Sequence, residues 1–283
     1  MSDAANFSNE QPINPYYHVE SIDRAVAQDE HNHIRELLEQ AGVEVVTVPS
    51  PADCQDGVYT ANWALVRGNK AVMSRLPNAR KGEEPYAKQT LESLGLEVTV
   101  LPDTVRFSGQ GDALPCGDLL FCGSGYRSDT EAQAIVADTL GFRRIQLQTV
   151  PQLDEVGQPI INHSSGWADS FYYDIDLALS VLRAPSDGRK GLIAYCPEAF
   201  TPESRATLEQ LDEVEKIIVS EHEAKEAFAC NLVSTGSTVV MSAHAPEFSR
   251  ELEARGFSLL KPEIHELLKG GGYIRCTTLT LAQ

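Results

Sequence analysis

One pattern of apolar and polar positions returns five times along the chain: the end of an amphipathic helix, a turn residue, then a short apolar strand. The copies are LLEQAGVEVVTV (37–48), LESLGLEVTVL (91–101), VADTLGFRRIQL (136–147), LEQLDEVEKIIV (208–219) and LEARGFSLL (252–260). Gly42, Gly95, Gly141 and Gly256 stand where a helix needs a terminating residue with positive φ. The fourth copy has Asp212 or Glu213 there and is the weakest. Gly42 to Gly95 is 53 residues, Gly95 to Gly141 is 46, and Gly141 to Gly256 is 115, or two units of about 57. Between the joints lie further strand-like runs: 58–66 with 71–75, 118–125, 170–182 with 191–196, 238–243 and 273–281. The last, YIRCTTLTL, alternates strictly and follows three glycines, which predicts a closing strand carrying Cys276.

Helix–glycine–strand joints also occur in any doubly wound βα sheet. Two or three strands per helix is too much strand for that arrangement. It suits five ββαβ modules around a common centre, forming one domain over residues 1–283 with the final strand completing the ring.

Composition narrows the setting. With 42% apolar and 23% charged residues the chain is an ordinary globular one, and its net charge of −18 argues against nucleic acid or an anionic membrane as partner. The same acidity attracts a cationic small substrate. The opening MSDAANFSNEQ lacks a basic region followed by an apolar stretch, which predicts no secretory signal and a cytoplasmic location. Six cysteines (54, 116, 122, 196, 230, 276) are scattered without CxxC or zinc-like spacing, which predicts reduced thiols and no metal. No motif calls for a cofactor. GQGDALPCG precedes a strand and not a helix N-terminus, so it is not read as a phosphate loop.

ELLKGGGYIRCTTLTL (266–281) resembles the closing motif of the guanidino-modifying pentein superfamily, which includes arginine deiminases, dimethylarginine dimethylaminohydrolases, amidinotransferases and arginine dihydrolases. Other stretches match in order: INPYY (13–17), DGVYTANWALV (56–66), FSGQGDAL (107–114), GSGYRSD (123–129) and AFACNLVSTGSTVVMS (227–242). The resemblance covers nearly the whole chain and implies a five-bladed α/β propeller of ββαβ modules. It implies Cys276 as a nucleophile that attacks a guanidinium carbon and forms a thiouronium-type intermediate. Asn62, Asp112 and Asp176 are then expected to orient the guanidinium, Arg80 and Arg127 to hold a substrate carboxylate, and Asn14 to belong to the N-terminal asparagine motif.

Two positions depart from the family pattern. YDID (173–176) places Asp174 where the family has its acid/base His, and Ser108 replaces the motif Glu. An Asp ionises near ~3.9 against ~6.5 for His, so it acts as an acid at neutral pH only if burial or a second carboxylate raises it. Asp176 is the expected second carboxylate, reached by strand alternation. His163, in INHSSGW, is the alternative proton carrier. The expected function is a cysteine-dependent hydrolase of arginine or an arginine-like compound. A catalytically silent ligand- or protein-binding pentein, or an amidinotransferase, is the alternative, and a homo-oligomer is compatible with either.

Overall fold

A computed structural model of the protein describes residues 1–17, 20–186 and 188–281. Four ββαβ modules repeat one plan, an antiparallel pair followed by a helix and a strand that returns parallel to the pair's second member. The first is β1 (Ala64–Arg67), β2 (Lys70–Met73), α2 (Glu83–Ser93) and β3 (Glu97–Thr99), preceded in the chain by α1 (Arg24–Gln40). The second is β4 (Ala113–Cys116), β5 (Leu119–Ser124), α3 (Thr130–Leu140) and β6 (Arg143–Gln148). The third is β7 (Leu179–Arg183), β8 (Gly191–Tyr195), α4 (Pro202–Gln210) and β9 (Val214–Ile218). After α5 (Glu221–Glu226) comes the fourth, β10 (Val233–Ser234), β11 (Thr238–Val240), α6 (Pro246–Ala254) and β12 (Ser258–Leu260).

The joints form as their glycines require. Gly42, Gly95, Gly141 and Gly256 all adopt φ between +71° and +87°, while α4 ends on Leu211 in extended conformation. In the second, third and fourth modules the middle strand is the most buried, as β8 shows with five buried residues out of five (Gly191–Tyr195). This accounts for its apolar composition.

The ring closes differently from the sequence expectation. Residues 274–277 form a turn, and no strand among the described residues spans 273–281. Thr277 and Thr278 explain this, since their hydroxyls donate back to Ile274 O (2.8 Å) and Arg275 O (2.9 Å). Residues 37–48 supply the end of α1 and a single parallel bridge, Ser2 to Val48, and form no three-stranded sheet. The chain ends are nevertheless joined. Glu30 on α1 accepts the backbone N–H groups of His265, Glu266 and Leu267, and Gln110 brackets Thr280 through both its amide atoms. This is a propeller-like α/β fold with four regular modules.

Candidate active site

Each module's first strand is preceded by a tight turn, and these turns carry the polar residues that meet at the centre. Asn62 lies in the turn Thr60–Trp63 before β1, Asp112 immediately after Gly109–Gly111 before β4, and Asp174 and Asp176 around Ile175–Leu177 before β7. Asn231 precedes β10, and Cys276 lies in the turn 274–277. Asp174 and Asp176 therefore do not alternate along a strand. Asp112 Oδ1 accepts the N–H of Ile175 at 2.9 Å, a side chain from a neighbouring module taking the place of a sheet partner.

Cys276 is 3% exposed, and its Sγ donates to Asp176 Oδ2 (3.6 Å) and accepts from Asn231 Nδ2 (3.2 Å). Asn231 Oδ1 also accepts the N–H of Cys276, so one amide fixes both backbone and thiol. Burial pushes the Cys276 thiol well up, and the Asp176 carboxylate adds to the effect. Asp176 and Asp112 are likewise held well above the usual carboxylate range, by burial first and by the charge of Asp174 second. Without a cation present the site favours a thiol over a thiolate.

The three glycines make the close packing around this turn possible. A Cβ on Gly272 would lie 2.3 Å from the Tyr59 ring. On Gly271, whose φ is +79°, it would lie 2.2 Å from Asn14 Oδ1. In the observed packing Asn14 Nδ2 donates to Gly270 O (3.1 Å) and the Tyr173 hydroxyl to Gly271 O (2.7 Å).

Asn62 is a hub. Its Nδ2 donates to Asp174 Oδ2 (2.8 Å) and Ser108 Oγ (2.9 Å), and its Oδ1 accepts from Arg80 Nη1 (2.7 Å). Ser108 thus meets Asp174 through a shared amide. Arg127 approaches Asp174 Oδ2 at 3.6 Å, lies over the Tyr173 ring at 3.9 Å and donates to Ile13 O.

Two expected roles are not matched by position. Arg80 is 2% exposed, and all three guanidinium nitrogens are committed: to both Glu83 oxygens, to Asn62, and to the carbonyls of Asp56 and Tyr59. It holds Asn62 and is not free to clamp a substrate carboxylate. His163 is exposed, beside an Asn162 side chain that accepts two backbone N–H groups of the 162–166 turn. Among the described residues no histidine lines the central cavity or hydrogen-bonds Cys276, Asp174 or Asp176.

That cavity is about 10 Å³, room for about one water molecule, and is lined by Asn14, Asp56, Asn62, Arg127, Tyr173 and Cys276 among others. Sequence reasoning missed Asn231 and Asp56. Asn231 was visible in the repeat, because it occupies the same pre-strand turn in the fourth module that Asn62 occupies in the first.

Comparison with known proteins places the sequence and the fold. Residues 4–164 match the family described as N,N dimethylarginine dimethylhydrolase, eukaryotic. The chain is 32% identical to the N(G),N(G)-dimethylarginine dimethylaminohydrolase of Mycobacterium tuberculosis, over 99% of this chain and 84% of that protein. It is 33% identical to the bifunctional arginine dihydrolase/ornithine cyclodeaminase AgrE of a Nostoc species, over 96% of this chain but only 36% of that longer protein. Among solved structures, the substrate-bound N-terminal domain of the cyanobacterial arginine dihydrolase ArgZ superposes with a TM-score of 0.84 at 27% identity, covering 100% of this chain and 97% of that one. The chain belongs to the N,N-dimethylarginine dimethylhydrolase family, within the guanidino-modifying penteins.

Proposed function

We propose that the protein is a cysteine-dependent hydrolase of the guanidino group of arginine or an arginine-like compound. The observation that carries this is the buried Cys276 thiol, held by Asn231 and Asp176, in the lining of a small cavity that Asn14, Asp56, Asn62 and Arg127 also line. A protein that only bound a ligand would gain nothing from a thiol fixed in this way. Related proteins support the chemistry: one ArgZ structure is of that enzyme's N-terminal domain covalently bonded to a reaction intermediate.

In this reading the substrate guanidinium settles against Asp176 and Cys276. A cation there favours the charged forms of both groups, so the substrate itself draws out the thiolate. The sulfur adds to the guanidinium carbon and a C–S bond forms. Asp174, held by Asn62 and Arg127, takes up the proton that the thiol gives up and delivers it to the departing nitrogen; the C–N bond breaks and an amine leaves, with a thiouronium adduct remaining. Water returns a proton to Asp174 as its oxygen bonds to the same carbon. The C–S bond then breaks, restoring the thiolate, and the second proton departs to leave a neutral ureido product. Asp112 supports this arrangement through Ile175. Admission of a molecule the size of arginine requires the Ile13–Asn14 strap to lift from Gly270 and Arg127.

The test is incubation with arginine, methylarginines and agmatine, with assay of amine and ureido products. Release of both in equal amounts, abolished by Cys276→Ala, is expected. Absence of turnover on every guanidino compound, together with Cys276 inert to iodoacetamide, would leave the ligand-binding alternative.

A further inference from the structure

A second, larger cavity of about 590 Å³ is open to solvent and is walled by the first strands of the modules, β4, β7 and β10, together with Thr280. It does not include Cys276, yet Asp176 lines it. Asp176 is 1% exposed; its Oδ2 takes the Cys276 thiol, and its Oδ1 has no hydrogen-bond partner among the described residues. Ser180, four residues on and 3% exposed, also lines the cavity, and its hydroxyl has no hydrogen-bond partner among the described residues. One carboxylate thus lines this cavity and takes the thiol that lines the other.

We propose that this cavity is a solvent port, through which protons and the hydrolytic water reach the Cys276–Asp176 pair from the side the substrate does not use. The need for one follows from the size of the other opening. The cavity at Cys276 holds about one water molecule, and a bound substrate would fill the route by which it entered. Water must still arrive after the first amine has left, and the proton it sheds must leave.

The charges along the port select what passes. Its walls carry Arg67, Arg183 and Arg275 against Asp118 and Asp176, one more formal positive charge than negative. Among the described residues Arg183 Nε and Nη2 have no hydrogen-bond partner, and Nη2 makes a 3.6 Å ion pair with Glu215. A guanidinium or ammonium ion is repelled from such a funnel, while water and neutral ammonia are not. The port therefore does not serve as a second substrate entrance. The inference rests on the hydrolase reading above, since a protein that forms no adduct needs no water delivered.

Filling the port tests it without touching the reacting groups. Ser180→Leu adds bulk near the floor and Val181→Trp adds it on a half-buried wall position, where the fold tolerates it more readily. Ser180→Ala removes the hydroxyl and leaves the space. With a guanidino substrate that the wild type turns over, the first-turnover burst of amine should be unchanged in both filled variants. Steady-state turnover should fall at least ~10-fold and the Cys276 adduct should accumulate in intact-protein mass spectra, because only the water-dependent step is slowed. Ser180→Ala should behave as wild type. Wild-type partition between burst and steady state in a folded Val181→Trp protein, or an equal slowing of both steps, overturns the port. A wild type that forms no adduct at all defeats the hydrolase reading first, and is recognised before any variant is made.

Discussion

At the scale of single residues the proposed proton carrier is Asp174. It is bonded to Asn62 and faces Arg127, and Ser108 shares the same amide. Asp174→Asn keeps the shape and removes the carboxyl group, so kcat should fall ~100-fold or more, in the range of a lost general acid. His163→Ala should leave kcat/KM within about 2-fold, since its side chain is in solvent. The reverse ranking would return the role to His163. Asp176 predicts an exchange of stability for function. Its folded pKa is raised, so the stability it contributes is fully present below the unfolded value near ~3.9 and is lost as pH rises through the folded value. Asp176→Asn should therefore abolish turnover and raise Tm by ~2 °C or more at neutral pH, the gain shrinking toward pH 4. Thermal unfolding of both proteins across that range checks the sign.

The element scale explains what could be read from the sequence. The helix–glycine–strand joints were legible because Gly42, Gly95, Gly141 and Gly256 answer a purely local demand, positive φ at a helix end. The residue types of the site were legible from their motifs. The turns that carry them were not. SFYYDIDLALSVL and YIRCTTLTL both alternate like strands, but Asp112 captures the Ile175 N–H and the hydroxyls of Thr277 and Thr278 capture local carbonyls. The first of these depends on a side chain 63 residues away, which no window of sequence contains. Asn231 was missed because the repeat was used for fold and not carried through to the site. The glycine turn offers a direct test at this scale. Gly271→Ala combines positive φ with a Cβ 2.2 Å from Asn14 Oδ1. It should cost about 1–3 kcal/mol in denaturant unfolding and raise KM by displacing Asn14. An unchanged midpoint would mean the turn is softer than its packing implies.

For the whole molecule we propose a single folding unit. One buried cluster runs from Ala4 and Phe7 through the third and fourth modules to Ile274 and Cys276. Asn14 to Gly270 and Glu30 to His265–Leu267 tie residues about 240 positions apart. A chain closed in this way should melt in one transition, and limited proteolysis should not release two stable halves. Among the described residues no helix is long and apolar enough to cross a membrane.

The central claim is that Cys276 is the nucleophile of a guanidino hydrolase. It is tested most directly by acid-quenching the enzyme during turnover of arginine or a methylarginine and mapping the adduct by peptide mass spectrometry. The account predicts a thiouronium-type adduct on the peptide carrying Cys276 and on no other cysteine, absent in Cys276→Ala. Turnover that continues in Cys276→Ala, or an adduct carried by Cys230 or another thiol, would contradict it.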